Sequence, residues 1–270
     1  MMEQVTMGGV KVSRLVIGGN PFSGFSHHSA EMDRRMRRYF TTARIKATLE
    51  EAESLGINTL IARTDSHIIR TLAEYWDEGG RIQWFAQTAT ELRSTELAVQ
   101  RAVANGARGC YVHGGETDFL RAQGRFDEIQ PAIDMIRQGG LAAGIAGHKP
   151  EIFKLAEETV DLDFYMCCYY NPSSRDHNPE HVPGTPERFR EEDRRAMTSL
   201  IPNLSRPVIH YKVLAAGRND PAEAFKLVAR TMRADDAVCV GFYTEGKPDI
   251  IREDVTLLQE SLAAVRVPGK

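Results

Sequence analysis

Short runs of apolar residues alternate along this chain with longer stretches in which apolar positions recur every three to four residues. The runs fall at 15–19, 58–62, 82–87, 109–113, 141–146, 164–169, 207–213 and 237–242. They are nearly continuous, the pattern of parallel strands covered on both faces. The stretches between them predict helices. Residues 43–55 put Ile45, Leu49 and Ala52 on one face, with Thr42 as N-cap and Gly56 as stop. Further helices are predicted at about 67–78, 91–105, 126–138, 150–158, 186–200, 221–233 and 248–265, with Asp220 and Pro221 marking one start. Eight strands alternating with eight helices, with no break in composition, predict an α/β fold. It is a single (β/α)8 TIM barrel over residues 1–270, with a doubly wound open sheet as the alternative.

Two connections are longer than a link needs, at about 20–41 and 171–185. Both follow strands and so lie on the top face, where long loops bind or cover ligands. In the first, Met32, Met36 and Phe40 recur every four residues and predict a short amphipathic helix. Its arginines, Arg34, Arg35, Arg37 and Arg38, read as a solvated basic face or subunit contact ahead of a site for a phosphate or carboxylate. The second holds Pro172, Pro179, Pro183 and Gly184.

Composition narrows the class. In 270 residues, 42% are hydrophobic and 26% charged, enough apolar material for a large core. A net charge of −3 removes the electrostatic case for nucleic acid or an anionic membrane as partner. No apolar run approaches the ~18 residues of a membrane span. The first residues lack a basic-then-apolar export signal, so a cytoplasmic location is expected. Cys110, Cys167, Cys168 and Cys239 lie in the apolar runs without metal-ligand spacing and read as buried structural thiols.

The histidines carry the functional signal. His27, His28, His67, His113, His148, His177, His181 and His210 all fall at or just beyond the C-terminal ends of predicted strands. That is the face where barrels of this kind place catalysis, and imidazole suits acid–base or metal chemistry there. Strand alternation puts His210 and Lys212 on one side, with Val208 beneath them. If that side is the lumen, an imidazole and an amine enter the site together. Such a lysine binds an anion, acts as a base or forms a Schiff base. His113 is followed by Gly114 and Gly115, which let a ligand or another backbone approach, and by Glu116. Asp65 is either an acid–base group or the cap of the next helix. His113, His148 and His210, with Asp65 or Glu116, form a candidate zinc or manganese set, without any linear metal motif.

The order of these segments resembles the aldo/keto reductase superfamily across nearly the whole chain. Residues 7–20 look like that family's N-terminal hairpin and first strand, and 56–60 like its second-strand approach. Residues 144–147 resemble its fifth-strand motif, Tyr170-Asn171-Pro172 its sixth-strand Tyr-Asn, and 211–217 its Tyr-Ser-Pro-Leu segment. The resemblance implies a barrel with the site on the top face. Of the family's Asp, Tyr, Lys and His, it leaves only the histidine, as His113. The aspartate position falls on Ile61, the lysine on Gln87, and no tyrosine lies near Ser66. Cys167 falls where the family has a glutamine near the nicotinamide. The segment 244–254, where the family holds the NADP phosphate, carries four carboxylates against Lys247 and Arg252.

These readings predict an enzyme of non-redox acid–base chemistry, of lyase, isomerase or hydrolase type, acting on a small polar, carbohydrate-like substrate. His113, His210, Lys212 and Asp65 are its candidate catalytic groups; Asn20, His67, Gln87, Glu116 and Tyr170 are its candidate substrate contacts. A divalent metal is the favoured cofactor over NADP(H). The alternatives are an NADP(H)-dependent reductase whose proton donor has moved to Tyr169, Tyr170 or Tyr211, and a ligand-binding barrel without catalysis.

Overall fold

The structure, a computed structural model, describes residues 2–89, 91–182 and 185–266. Pro183 and Gly184 of the second long loop lie outside the described residues. The chain opens with an antiparallel hairpin of β1 (Gln4–Met7) and β2 (Val10–Ser13), turning through Gly8 and Gly9 at φ +52° and +80°. There follow β3 (Leu15–Gly18), α1 (Asn20–Ser23), α2 (Ala30–Tyr39), α3 (Thr42–Ser54), β4 (Thr59–Arg63), α4 (Ser66–Asp77), β5 (Gln83–Gln87) and α5 (Thr95–Ala104). Next come β6 (Gly109–Val112), α6 (Gly114–Ala122), α7 (Ile129–Gln138), β7 (Ala142–Gly147), α8 (Pro150–Thr159), β8 (Phe164–Cys168) and α9 (Glu191–Leu200). The chain ends through β9 (Val208–Tyr211), α10 (Pro221–Thr231), β10 (Ala237–Val240) and α11 (Ile250–Arg266). Strands β3 to β10 pair in parallel and close on themselves, β10 bonding both β3 and β9. The fold is the (β/α)8 barrel, and the open sheet is excluded by that closure.

Each barrel strand divides its residues between two cores. Leu15, Leu60, Trp84, Cys110, Ala143, Tyr165, Val208 and Val238 face the helices. Val16, Ile61, Phe85, Tyr111, Phe164, Met166 and Ile209 face the lumen, together with Val5, Met7, Val10 and Val12 from the hairpin. The hairpin closes the bottom: a Cβ on Gly8 would lie 2.5 Å from that of Ala142. In the lumen Phe164 packs on Phe85 and Tyr111 at 5.4 and 6.4 Å between ring centroids. Each such ring contributes roughly 2–3 kcal/mol by leaving water. The lower barrel is therefore filled, and space for a ligand remains only above these rings.

Helix α2 carries the predicted stripe, with Met36 and Phe40 buried and Ser29 accepting a hydrogen bond from the Met32 amide at 3.1 Å. Its four arginines are exposed; Arg35 pairs with Glu245 at 2.5 Å, and none of the four lines the cavity described below. Asp220 caps α10 by accepting the Glu223 amide at 3.0 Å. The cap of α3 is Thr41 rather than Thr42. Helix α6 is absent from the sequence reading, because Gly114-Gly115 at its start looks like a loop; the helix begins on those two residues. No helix of the described residues is long and apolar enough to cross a membrane.

Candidate active site

A cavity of about 890 Å³ lies at the C-terminal ends of the strands, under the two long loops. Its floor is Ile61, Gln87, Tyr111, Met166 and Tyr211, the topmost lumen-facing residues of their strands. The Tyr111 hydroxyl donates to Gln87 Oε1 at 2.9 Å, fixing the amide in the floor.

The best-defined chemistry is on β7 and α6. His148 follows β7, and its Nδ1 lies 2.6 Å from Asp118 Oδ2; its backbone N–H donates to Asp118 Oδ1 at 3.2 Å. The aspartate side chain is fully buried and that of the histidine nearly so. Thr117, beside Asp118, donates to the Ala146 carbonyl at 2.5 Å and ties α6 to β7. Asp118 was invisible in the sequence because α6 was; a carboxylate at the fifth position of a helix that begins just after His113 is the signal that a correct helix start would have supplied. With Nδ1 engaged, Nε2 is the nitrogen left for a ligand. Burial lowers the His148 pKa below 6.5, with Asp118 opposing, so the ring is neutral at neutral pH.

The Tyr211 ring meets that of His148 edge-on at 6.2 Å between centroids. A Cβ on Gly114 would lie 3.0 Å from His148 Cε1 and 3.1 Å from the Tyr211 hydroxyl, so both groups converge over that glycine. Burial, with the Cys168 thiol next, raises the Tyr211 pKa well above 10 and keeps the phenol protonated. His113 lines the same wall, and burial pushes its pKa well below 6.5, with His148 and Arg63 adding to the shift. Gly115 does admit another backbone: a Cβ there would be 2.1 Å from the Pro179 carbonyl of the second loop.

Two cations face this group. Lys212 follows β9 at φ +57°, and no ion pair or hydrogen bond of its amine is present among the described residues. Arg175, 7% exposed, donates from Nη1 to the Glu180 carbonyl at 2.6 Å and has no ion-pair partner among the described residues. Both charges act on His113 and His148. Arg63 also reaches the cavity, held by Asp65 at 2.7 Å and stacked over Phe25 at 4.8 Å. On the rim, His27 Nδ1 lies 2.9 Å from Glu187, and His181 stands beside them. Neither Arg63, Arg175, Glu187 nor Asp118 was singled out from sequence; arginine and acidic residues are too common in loops to signal without a partner.

Several expectations are corrected. His210 is fully buried on the helix side of β9, between the Tyr169 hydroxyl at 3.0 Å and Asp236 at 3.3 Å. Alternation placed it correctly with Val208, but Val208 faces outward, so His210 has no access to the cavity. Lys212 escapes the same side only because its left-handed backbone breaks the alternation. The candidate metal trio therefore does not form: His113 and His148 share the cavity, and His210 lies behind the barrel wall. Asp65 holds Arg63 and the Glu91 amide instead of lining the site. His67 is exposed on α4, 3.1 Å from Ser23 Oγ. Tyr170 is buried against Phe189 and accepts from Asn219 at 2.8 Å. Cys167 faces the helices, not a nicotinamide position. Asn20, Gln87, His113, Glu116 and Lys212 do line the cavity, and Glu116 accepts from Thr95 at 2.5 Å. Burial raises the Glu116 pKa.

No family model matches this chain, and no curated protein matches it in sequence. Solved structures match throughout its length. A Pseudomonas aeruginosa protein described as an aldo-keto reductase shares 17% identity at a TM-score of 0.62, covering 97% of this chain and 95% of its own. Glycerol dehydrogenase from Gluconobacter oxydans gives 13% and 0.54, covering 99% and 97%. A truncated 3-deoxy-D-arabino-heptulosonate 7-phosphate synthase from Thermotoga maritima gives 11% and 0.58, covering 98% and 93%. At such identities the likeness is one of fold, and function has to come from the site.

Proposed function

We propose that this chain is an enzyme of non-redox acid–base chemistry, of lyase, isomerase or hydrolase type, on a small polar, carbohydrate-like molecule bearing an anionic group. The observation that carries the reading is the 2.6 Å contact between His148 Nδ1 and the buried Asp118, which leaves Nε2 free on a ring that lines the cavity, where Lys212 and Arg175 have no ion-pair partner among the described residues. Asp118 accepts the Nδ1 proton, so Nε2 holds a lone pair and accepts a proton from substrate carbon or hydroxyl. The imidazolium so formed is stabilised by the carboxylate. Negative charge developing on substrate oxygen receives hydrogen bonds from the neutral groups His113 and Tyr211. Lys212 and Arg175 hold the anionic group, and Gln87, Asn20 and Glu116 offer hydrogen bonds to hydroxyls. Return of the proton to another atom gives isomerisation; loss of a leaving group gives elimination.

The test is solvent deuterium exchange. Phosphorylated sugars and 2-oxo acids are incubated with the protein in D₂O, and incorporation beside the carbonyl is read by proton NMR. Incorporation that slows by roughly 10³–10⁴-fold in Asp118→Asn supports the reading. No incorporation with any of them, in protein that binds NADPH tightly by fluorescence quenching, would overturn it.

The second reading is an NADP(H)-dependent reductase with Tyr211 as relocated donor. It is favoured by one observation: of Tyr169, Tyr170 and Tyr211, only Tyr211 lines the cavity. Against it stands the 244–254 segment, where Glu245 is taken up by Arg35 and Tyr243, and where Asp254 Oδ2 is buried without a partner. Burial, with the Glu253 charge next, raises the Asp254 pKa to about 7, so a phosphate there meets a partly charged carboxylate, and Arg35 is already committed to Glu245. Ligand binding without exchange or reduction is the outcome that the non-catalytic reading requires.

A further inference from the structure

The two long loops meet in a cluster that the acid–base chemistry does not use. His27 comes from the first loop, His181 from the second, and Glu187 from the stretch that carries the second loop on to α9, 160 residues from His27. One ligand atom from each lies within 4.8 Å of the others. His27 Nδ1 is 3.0 and 2.9 Å from the two carboxylate oxygens, and His181 Nδ1 is 3.5 Å from Oε1. The side chains are 12%, 17% and 4% exposed for His27, His181 and Glu187.

We infer that His27, His181 and Glu187 form a site for a divalent transition metal of the zinc type, which fastens the two loops together over the cavity and keeps one coordination position open to it. Two imidazoles and a carboxylate are a donor set zinc takes in open sites, and the nitrogen donors select it over magnesium or calcium. Donors about 2.0–2.2 Å from one ion sit roughly 3–3.5 Å apart. The two contacts with Glu187, at 2.9 and 3.5 Å, already lie in or near that range, and the two imidazole donors are no more than 4.8 Å apart, so binding draws the rings together by at most about an ångström. Protonation states agree as well. Burial, then Lys212, holds the His27 pKa down at about 4. Against the upward push of burial, the His27 hydrogen bond and the charges of His27, Lys212 and His181 hold Glu187 at about 2. The imidazole is thus neutral and the carboxylate charged near neutrality, as a metal requires. His27 also has an outer partner: Nε2 lies 3.4 Å from the Asn20 amide. Turned over, that amide accepts the Nε2 proton and orients the ring. His27 itself is held at φ +59°, a conformation that costs a non-glycine residue free energy and persists where surroundings impose it. Lys212 and Arg175 act on the cluster too and oppose a cation. That opposition supplies the sharpest arm of the test.

The full chain, stripped with chelator, is titrated with Co(II) as a spectroscopic substitute for Zn(II). Saturable uptake of one ion per chain with visible d–d bands is expected. It should be lost in His27→Ala and in the isosteric Glu187→Gln, and kept in His113→Ala and His148→Ala. Asn20→Ala should weaken binding by about 10–100-fold, and Lys212→Met should strengthen it. Melting temperatures of the stripped variants check folding, and imidazole ¹⁵N shifts of the wild-type protein on adding Zn(II) read the ligands without any substitution. Failure of the stripped wild type to take up one ion, or uptake that survives both His27→Ala and Glu187→Gln, would overturn the site. Either result leaves the His148–Asp118 chemistry standing, since deuterium exchange tests that separately.

Discussion

Replacing Asp118 by asparagine separates the charge of the dyad from its shape. The carboxylate accepts two hydrogen bonds from His148, at 2.6 Å from Nδ1 and 3.2 Å from the backbone amide. Asparagine keeps an oxygen for the backbone N–H and sets an NH₂ against Nδ1. A neutral imidazole facing a donor must accept there, so its proton moves to Nε2 and the base is lost. The stability change follows from what is removed. Breaking a buried pair outright costs about 3–5 kcal/mol, but asparagine still bonds both groups. The loss should therefore be that of a charge-assisted hydrogen bond, about 1.5–3 kcal/mol. Burial already lowers the His148 pKa and Asp118 opposes it, so the substitution should lower it further. Long-range ¹⁵N–¹H spectra of the imidazole give tautomer and titration, and urea unfolding gives the free energy. An unchanged tautomer together with stability within about 0.5 kcal/mol of wild type would refute the reasoning; that is the size of a neutral surface change.

His210→Ala should cost about 1–3 kcal/mol in urea unfolding, because Asp236 loses one partner while Arg233 keeps it paired; cavity ligands should bind unchanged, and weakened binding at unchanged stability would restore His210 to the site. Burial, the leading cause in each case, holds His113, His148 and His210 below 6.5. The unfolded chain then binds more protons below that value, so stability should fall as pH drops through about 6.5, by up to about 1.4 kcal/mol per pH unit for each ring. Urea midpoints that stay flat between about pH 5 and 7.5 would contradict neutral buried imidazoles. Gly115→Ala drives a Cβ to 2.1 Å from the Pro179 carbonyl, which is backbone and cannot rotate away. A loss of about 1–3 kcal/mol is expected, with faster proteolysis within residues 171–182; unchanged cleavage would show that the loop does not rest there.

The alternation of buried runs with amphipathic stretches was enough for the architecture. Parallel strands covered on both faces must be apolar throughout, and that requirement is written locally, at Val208-Ile209 as at Ala142-Ala143. Strand limits came within two residues, and both long loops and the α2 stripe were legible for the same reason. Helix α6 was not, because glycine reads as a breaker unless one knows that a second-loop backbone passes over Gly115. Asp118 was lost with it.

The membership of the site was decided by tertiary structure alone. Sequence gathers the histidines on one end of the barrel, since that depends only on where strands stop. It does not say which of two faces a strand presents to the lumen, because both faces are apolar. His210 and Lys212 are two residues apart and nominally on one side; one lies behind the wall and the other in the cavity, through a single left-handed residue. Pairings such as His148 with Asp118, or His27 with Glu187, join segments 30 and 160 residues apart. Local pattern carries no term for such distances; closure of the barrel brings them together.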